Sequence, residues 1–152
     1  NPMRNKWRIR WDIQISTNES GAQEASYMEH EFNHHPTIEE VKNIITEYYN
    51  HITEQKILTG FSFQGNAVWL STENQFNYKT AYDLAVQTNG ATLPVTFKFG
   101  TDDSPVFHKF SNMEEFTEFY TASAQFVQQT LQEGWDKKYN INWSDYEAVH
   151  ND

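Results

Sequence analysis

In the second half of the chain the hydrophobic period changes three times, alternating between strand-like and helix-like repeats at boundaries marked by turn residues. Gly60 to Ser71 reads as a strand pair around the turn Gln64-Gly65-Asn66. A short helix follows over about 72–88, with Thr72 and Gln75 as its capping pair and an inner face of Phe76 and some of Tyr82, Leu84 and Val86. Asn89-Gly90 stops it, glycine being favoured just past a helix end. Leu93, Val95, Phe97 and Phe99 alternate with Thr96 and Lys98, the chain turns at Gly100 to Ser104, and Val106 to Phe110 returns. Ser111 and Glu114 then cap a long helix over about 111–133. Its apolar stripe runs Met113, Phe116, Tyr120, Ser123, Val127, Thr130 and Leu131, and Gly134 loosens its end.

The first half follows the same grammar. Trp7, Ile9, Trp11, Ile13 and Ile15 alternate with Arg8, Arg10, Asp12 and Gln14, which places the first set on one buried face of a strand. Asn18 to Gly21 is a turn, and a second strand runs from about Ala25 to Phe32. Antiparallel pairing sets Arg8 and Arg10 across from Glu29 or Glu31. Thr37 and Glu40 form a capping box for a helix over about 37–54 with Ile38, Val41, Ile45, Tyr48 and Ile52 on one face, and Gly60 opens the next strand. These elements specify an α+β fold: antiparallel hairpins packed against two main helices and one shorter helix. Trp7, Trp11, Val127 and Leu131 should be buried, and Arg8 and Arg10 exposed.

The length suits one domain, residues 1–152, divided into an N-terminal hairpin and helix (3–56), a central region (57–141) and a tail (142–152). Asn1-Pro2 reads as a vector or protease remnant ahead of a natural start at Met3. Eleven Phe, eight Tyr and five Trp supply enough apolar area for a stable core from few elements. A net charge of −10 argues against nucleic acid or an anionic membrane as the main partner, since phosphate binding needs clustered Lys and Arg. There is no cysteine, hence no disulfide, thiolate metal site or Cys nucleophile, and no apolar run approaches the roughly 20 residues of a membrane span.

His30, His34 and His35 straddle a strand end before Pro36, so helical metal-ligand spacing does not apply and no metal is expected. Asp102 and Asp103 suit a hairpin tip, where paired carboxylates remain hydrated and simply favour the turn. Nucleophile-elbow, phosphate-loop and zinc-protease motifs are absent, so the expectation is a non-enzyme without a cofactor. The richest polar constellation is Ser71 to Tyr78. Gln75, Asn77 and Tyr78, with Trp69 just upstream, are groups that recognise sugars or peptide backbones, although amides at such a junction also satisfy buried backbone groups. Trp135, Tyr139, Trp143 and Tyr146 do not fit one helical stripe, so the C-terminal aromatic tail is either an interface or a folded-back lid.

One resemblance emerges from these parts. It lies in the order of the Gly60-Phe61-Ser62-Phe63-Gln64-Gly65 entry, the Ser71, Gln75 and Asn77 stretch, the acidic Asp102-Asp103 turn and the closing helix ending on Lys137, Lys138 and Ile141, each a common element by itself. From about Ile57 to Ile141 the chain resembles a domain of unknown function found in tailed-bacteriophage and prophage proteins, often near tail-fibre or tail-fibre-assembly modules. The resemblance implies a phage or prophage setting and no activity; with the absence of catalytic motifs, the leading expectation is a non-enzymatic structural or assembly accessory, cytoplasmic in a bacterial host or virion-associated, with a protein partner and possible homo-oligomerisation. A small ligand- or carbohydrate-binding module is the alternative, and an acidic inhibitor of a host defence protein is the third.

Overall fold

The computed structural model describes residues 6–147 and is α+β. It divides into two compact units, one formed by the chain up to Tyr49 together with residues from Lys138 onward, the other by Asn50–Lys137.

In the first unit β1 (Trp7–Thr17) pairs antiparallel with β2 (Gln23–Phe32). Asn18 holds the turn, its Oδ1 accepting from the Ser20 and Ala22 amides. Arg8 faces Glu31 and Arg10 faces Glu29, with Nε to carboxylate distances of 3.0 and 2.7 Å, as the alternation requires. The alternation breaks at Asp12. Register runs from Trp11↔Met28 to Gln14↔Ser26, so β1 holds one extra residue, and Asp12 takes a left-handed φ of 52°. Because side-chain direction has period two, this bulge reverses the faces of everything after it. Ile9 and Trp11 are buried and Trp7 half-buried, but Ile13 and Ile15 join the outer face with Arg8 and Arg10 and are exposed, against the single buried face expected. The Tyr48 hydroxyl donates to Asp12 Oδ2 at 2.8 Å and the Gln14 amide to Oδ1 at 3.0 Å, which holds the bulge.

Helix α1 (Ile38–Thr59) begins with the expected reciprocal box: the Glu40 amide donates to Thr37 Oγ1 at 3.2 Å and the Thr37 amide to Glu40 Oε1 at 3.1 Å. Its Val41 and Ile45 complete a core with Ile9, Trp11 and Phe32. The helix outlasts its expected end near 54, and the Gly60 amide closes it on the Lys56 carbonyl at 2.8 Å.

The second unit is built on two hairpins, the end of α1 and two further helices. Strands β3 (Ser62–Phe63) and β4 (Asn66–Ala67) turn through Gln64 and Gly65, both at positive φ, the geometry that a two-residue hairpin requires. Helix α2 (Thr72–Gln87) is capped by Ser71, whose hydroxyl accepts from the Asn74 amide at 3.1 Å, one residue ahead of the expected Thr72 cap. Its phase also differs from expectation: Tyr78 and Ala85 are buried with Tyr82 partly so, whereas Phe76, Leu84 and Val86 face solvent. Strands β5 (Val95–Gly100) and β6 (Pro105–Phe110) form the last hairpin, with Asp102 and Asp103 exposed at its tip as expected.

Helix α3 (Met113–Tyr139) is capped by Asn112, whose Oδ1 accepts from the Glu115 amide at 2.9 Å, rather than by Ser111 and Glu114. Its core face is Phe116, Phe119, Ser123, Thr130 and Gly134, while Val127 and Leu131 are only half-buried. Gly134 does not end the helix. A Cβ there would overlap Thr53 of α1, so the glycine permits close approach of two helices. The core sets Phe63, Tyr78, Phe99, Phe110, Phe116 and Phe119 against one another, mostly tilted or edge-on as ring quadrupoles favour. A short helix, α4 (Ser144–Glu147), follows in the first unit. Among the described residues no helix is long and apolar enough to cross a membrane.

Candidate functional site

The second unit opens a cleft of about 890 Å³ between the end of α1, the segment after β4, helix α2 and strand β5. That volume lies within the usual range for ligand clefts, roughly 300–1,000 Å³. Phe63, Val68 and Leu70 anchor the β3–β4 hairpin and its exit in the core, which forces the intervening Trp69 outward, 50% exposed on the cleft wall. Asn74 and Asn77 reach the cleft from the first turns of α2. The Asn74 amide donates to the Trp69 carbonyl at 2.7 Å and so fixes the backbone that carries the indole. Asn77 is exposed, and its amide makes no hydrogen bond among the described residues.

Tyr78 sits at the base. Its ring is buried and shared with a smaller neighbouring cleft of about 280 Å³, while its hydroxyl has no partner among the described residues. Burial alone pushes this phenol up to about 12. It therefore stays a neutral donor across the working pH range, available to an acceptor or a water in the cleft. Strand β5 supplies the opposite wall from Phe97 to Asp102, where Lys98 Nζ lies 2.7 Å from Asp102 Oδ1 and holds that carboxyl below its usual range.

Trp69, Asn77 and Tyr78 come together in the larger cleft. Gln75 lines the smaller one, and its amide is engaged structurally, donating to the Leu70 carbonyl at 2.9 Å. Trp135 and Tyr139 lie one turn apart on α3, 44% and 79% exposed, because the helix continues past Gly134 and gives them a common stripe after all. Trp143 and Tyr146 take the lid alternative. They pack on the core of the first unit, with Lys42 Nζ 5.9 Å from the Trp143 ring and the Tyr146 hydroxyl donating to the Arg10 carbonyl at 3.2 Å.

The histidines are occupied separately. His34 Nε2 lies 2.6 Å from Glu40 Oε2, His35 stacks on Trp7, and His30 meets the Phe32 ring edge-on. Among the described residues no group of three or more His, Cys, Asp or Glu side chains is placed to hold a metal. One polar pair escaped the sequence reading. His108 lies among the Phe63, Phe99 and Phe110 rings with Nε2 2.8 Å from Glu115 Oε1. No motif marks it, because the pairing joins a strand to a helix.

A family model described as a domain of unknown function matches residues 40–152, most of the chain. The chain belongs to the DUF4376 family. The matched region contains the whole larger cleft, whereas β1, β2 and the first residues of α1 lie outside it. No curated protein and no solved structure matches the chain. The family therefore brings no assigned ligand to the cleft, and its chemistry has to be read from the side chains that line it.

Proposed function

We propose that this DUF4376 protein is a non-enzymatic assembly accessory of a phage or prophage that works by holding another protein. The observation that carries the reading is the larger cleft, with a half-exposed indole, an unengaged amide and a neutral unpartnered phenol on one scaffold. Aromatic rings beside hydrogen-bonding groups are the anchors of protein interfaces. The order of parts from Gly60 to Ile141 supports a tail-fibre or tail-fibre-assembly setting, within the bacterial cytoplasm or on the virion. The test is deletion of the coding sequence from an inducible prophage, with complementation by the natural protein or by Trp69→Ala. Particles should lose fibres or infectivity in the deletion and regain them only with the natural protein. Unchanged morphology and infectivity in the deletion would overturn the reading.

A carbohydrate-binding module remains the second reading, favoured by the exposed face of Trp69 beside Asn77, since sugars stack on indoles and bond to amides. Quenching or blue shift of tryptophan fluorescence by a glycan, abolished in Trp69→Ala, would select it. The acidic-inhibitor reading has less support: Glu29, Glu31, Asp83, Asp102 and Glu133 each face a Lys or Arg, which interrupts any continuous acidic surface.

A further inference from the structure

Resting on the protein-binding reading, we propose that the free edge of β5 takes an extended segment of a second, non-identical protein as an added strand. The hydrogen-bond phase of the β5–β6 hairpin leads there. The Thr101 and Ser104 amides bond each other's carbonyls, both at 3.2 Å, so Thr101 and Ser104 are a hydrogen-bonded pair. Register is continuous from Gly100↔Pro105 to Val95↔Phe110, so Phe99, Phe97 and Val95 share that phase and point their backbone groups at β6. Thr96, Lys98 and Gly100 are the intervening pairs, and their N–H and C=O groups point away from β6. Pro105, which has no N–H, sits opposite Gly100, as this phase demands.

Those outward groups have no hydrogen-bond partner among the described residues, since β5 pairs with β6 alone. They lie along the larger cleft, whose lining includes Lys98 and Gly100. Pro94 precedes β5 and Pro105 opens β6, so each edge has a proline at one end, but only the β5 edge, from Phe97 to Gly100, lines the cleft.

The occupant follows from the spacing. Donor and acceptor pairs on alternate residues repeat at roughly 6.7 Å, a period that an extended polypeptide presents and a sugar or a nucleic acid does not. Trp69, from another part of the cleft lining, offers an apolar contact to such a segment, and the Asn77 amide and Tyr78 hydroxyl offer polar ones. Charge selects against a second copy, because each chain carries −10. It favours a segment with a basic residue towards the hairpin tip, where Asp103 is exposed without an ion-pair partner among the described residues.

The test uses the full chain and a displayed library of random peptides as the probe. Selected peptides should bind with micromolar affinity and slow the hydrogen exchange of the Thr96, Lys98 and Gly100 amides. Lys98→Pro removes an outward N–H without touching a bond to β6, so the hairpin should persist while binding weakens at least about tenfold. Lys98→Thr loses the same side chain but keeps the N–H, and should bind within about twofold of the natural protein. N-methylation of alternate peptide amides supplies the same comparison without altering the protein, should the proline variant unfold. If peptides bind but the Pro and Thr variants behave alike and N-methylation is harmless, strand addition is overturned while protein binding stands. If the library yields no micromolar binder, strand addition fails, and the prophage deletion separately judges the assembly role. A dimer abolished by Lys98→Pro would identify a second copy as occupant and overturn the choice of a foreign partner.

Discussion

Replacing Phe119 by alanine should be among the most destabilising single changes in this protein. The side chain has no solvent exposure, and its ring centroid lies 5.0–5.2 Å from those of Phe110, Tyr78, Phe63 and Phe99. Truncating a buried phenylalanine costs about 3–5 kcal/mol through lost transfer energy and the cavity left behind. Four close ring pairs, each worth about 0.5–1.5 kcal/mol beyond area, put this site in the upper half of that range. At about 2–4 °C per kcal/mol for a chain near this length, Tm should fall by roughly 8–20 °C. Phe76→Ala is the internal control. It deletes the same atoms from a side chain that is 67% exposed on α2, and should shift stability by about 0.5 kcal/mol or less. Thermal and urea unfolding followed by circular dichroism measure both variants under one condition, with the urea slope checking that the unfolded state is unchanged. Equal losses in the two variants would refute the phase assigned to α2 and the place of Phe119 at the centre of the core.

Gly134→Ala should destabilise the protein although alanine is the better helix former by about 1 kcal/mol, because the added methyl overlaps Thr53 and overpacking costs about 1–3 kcal/mol. Adding Thr53→Ala should recover much of the loss in a double-mutant cycle, and a single variant as stable as the natural protein would show that the two helices are further apart. The tyrosines set an alkaline limit. Tyr78 by burial, and Tyr48 by burial and its bond to Asp12, are raised from 10.0 to about 12 in the folded chain. The unfolded chain therefore ionises first, so stability holds below pH 10 and falls as pH rises from 10 to 12. Tyr78→Phe should flatten that fall, as read by Tm across the interval, and a spectrophotometric titration with all eight tyrosines ionising together near 10 would contradict it.

Much of the fold was legible residue by residue. The Thr37 and Glu40 box, the Asn18 turn, the facing of Arg8 and Arg10 by Glu29 and Glu31 and the Asn89-Gly90 stop all rest on interactions between near neighbours or on a two-residue period, although which Arg meets which Glu came only with the structure. The candidate site was legible only in composition. Trp69, Asn77 and Tyr78 stand close in sequence, but nothing local shows that β5 walls the same space or that Gln75 is spent on the Leu70 carbonyl. The features that escaped the sequence depend on partners far along the chain. Asp12 bulges where it meets Tyr48, position 134 holds a glycine inside the helix where Thr53 leaves no room for a Cβ, and α2 turns Tyr78 and Ala85 inward because the core formed with Phe97 and Phe119 admits them. Periodicity says that a face exists. Which residues occupy it is settled by the free energy of packing against other elements, and that free energy belongs to the tertiary structure.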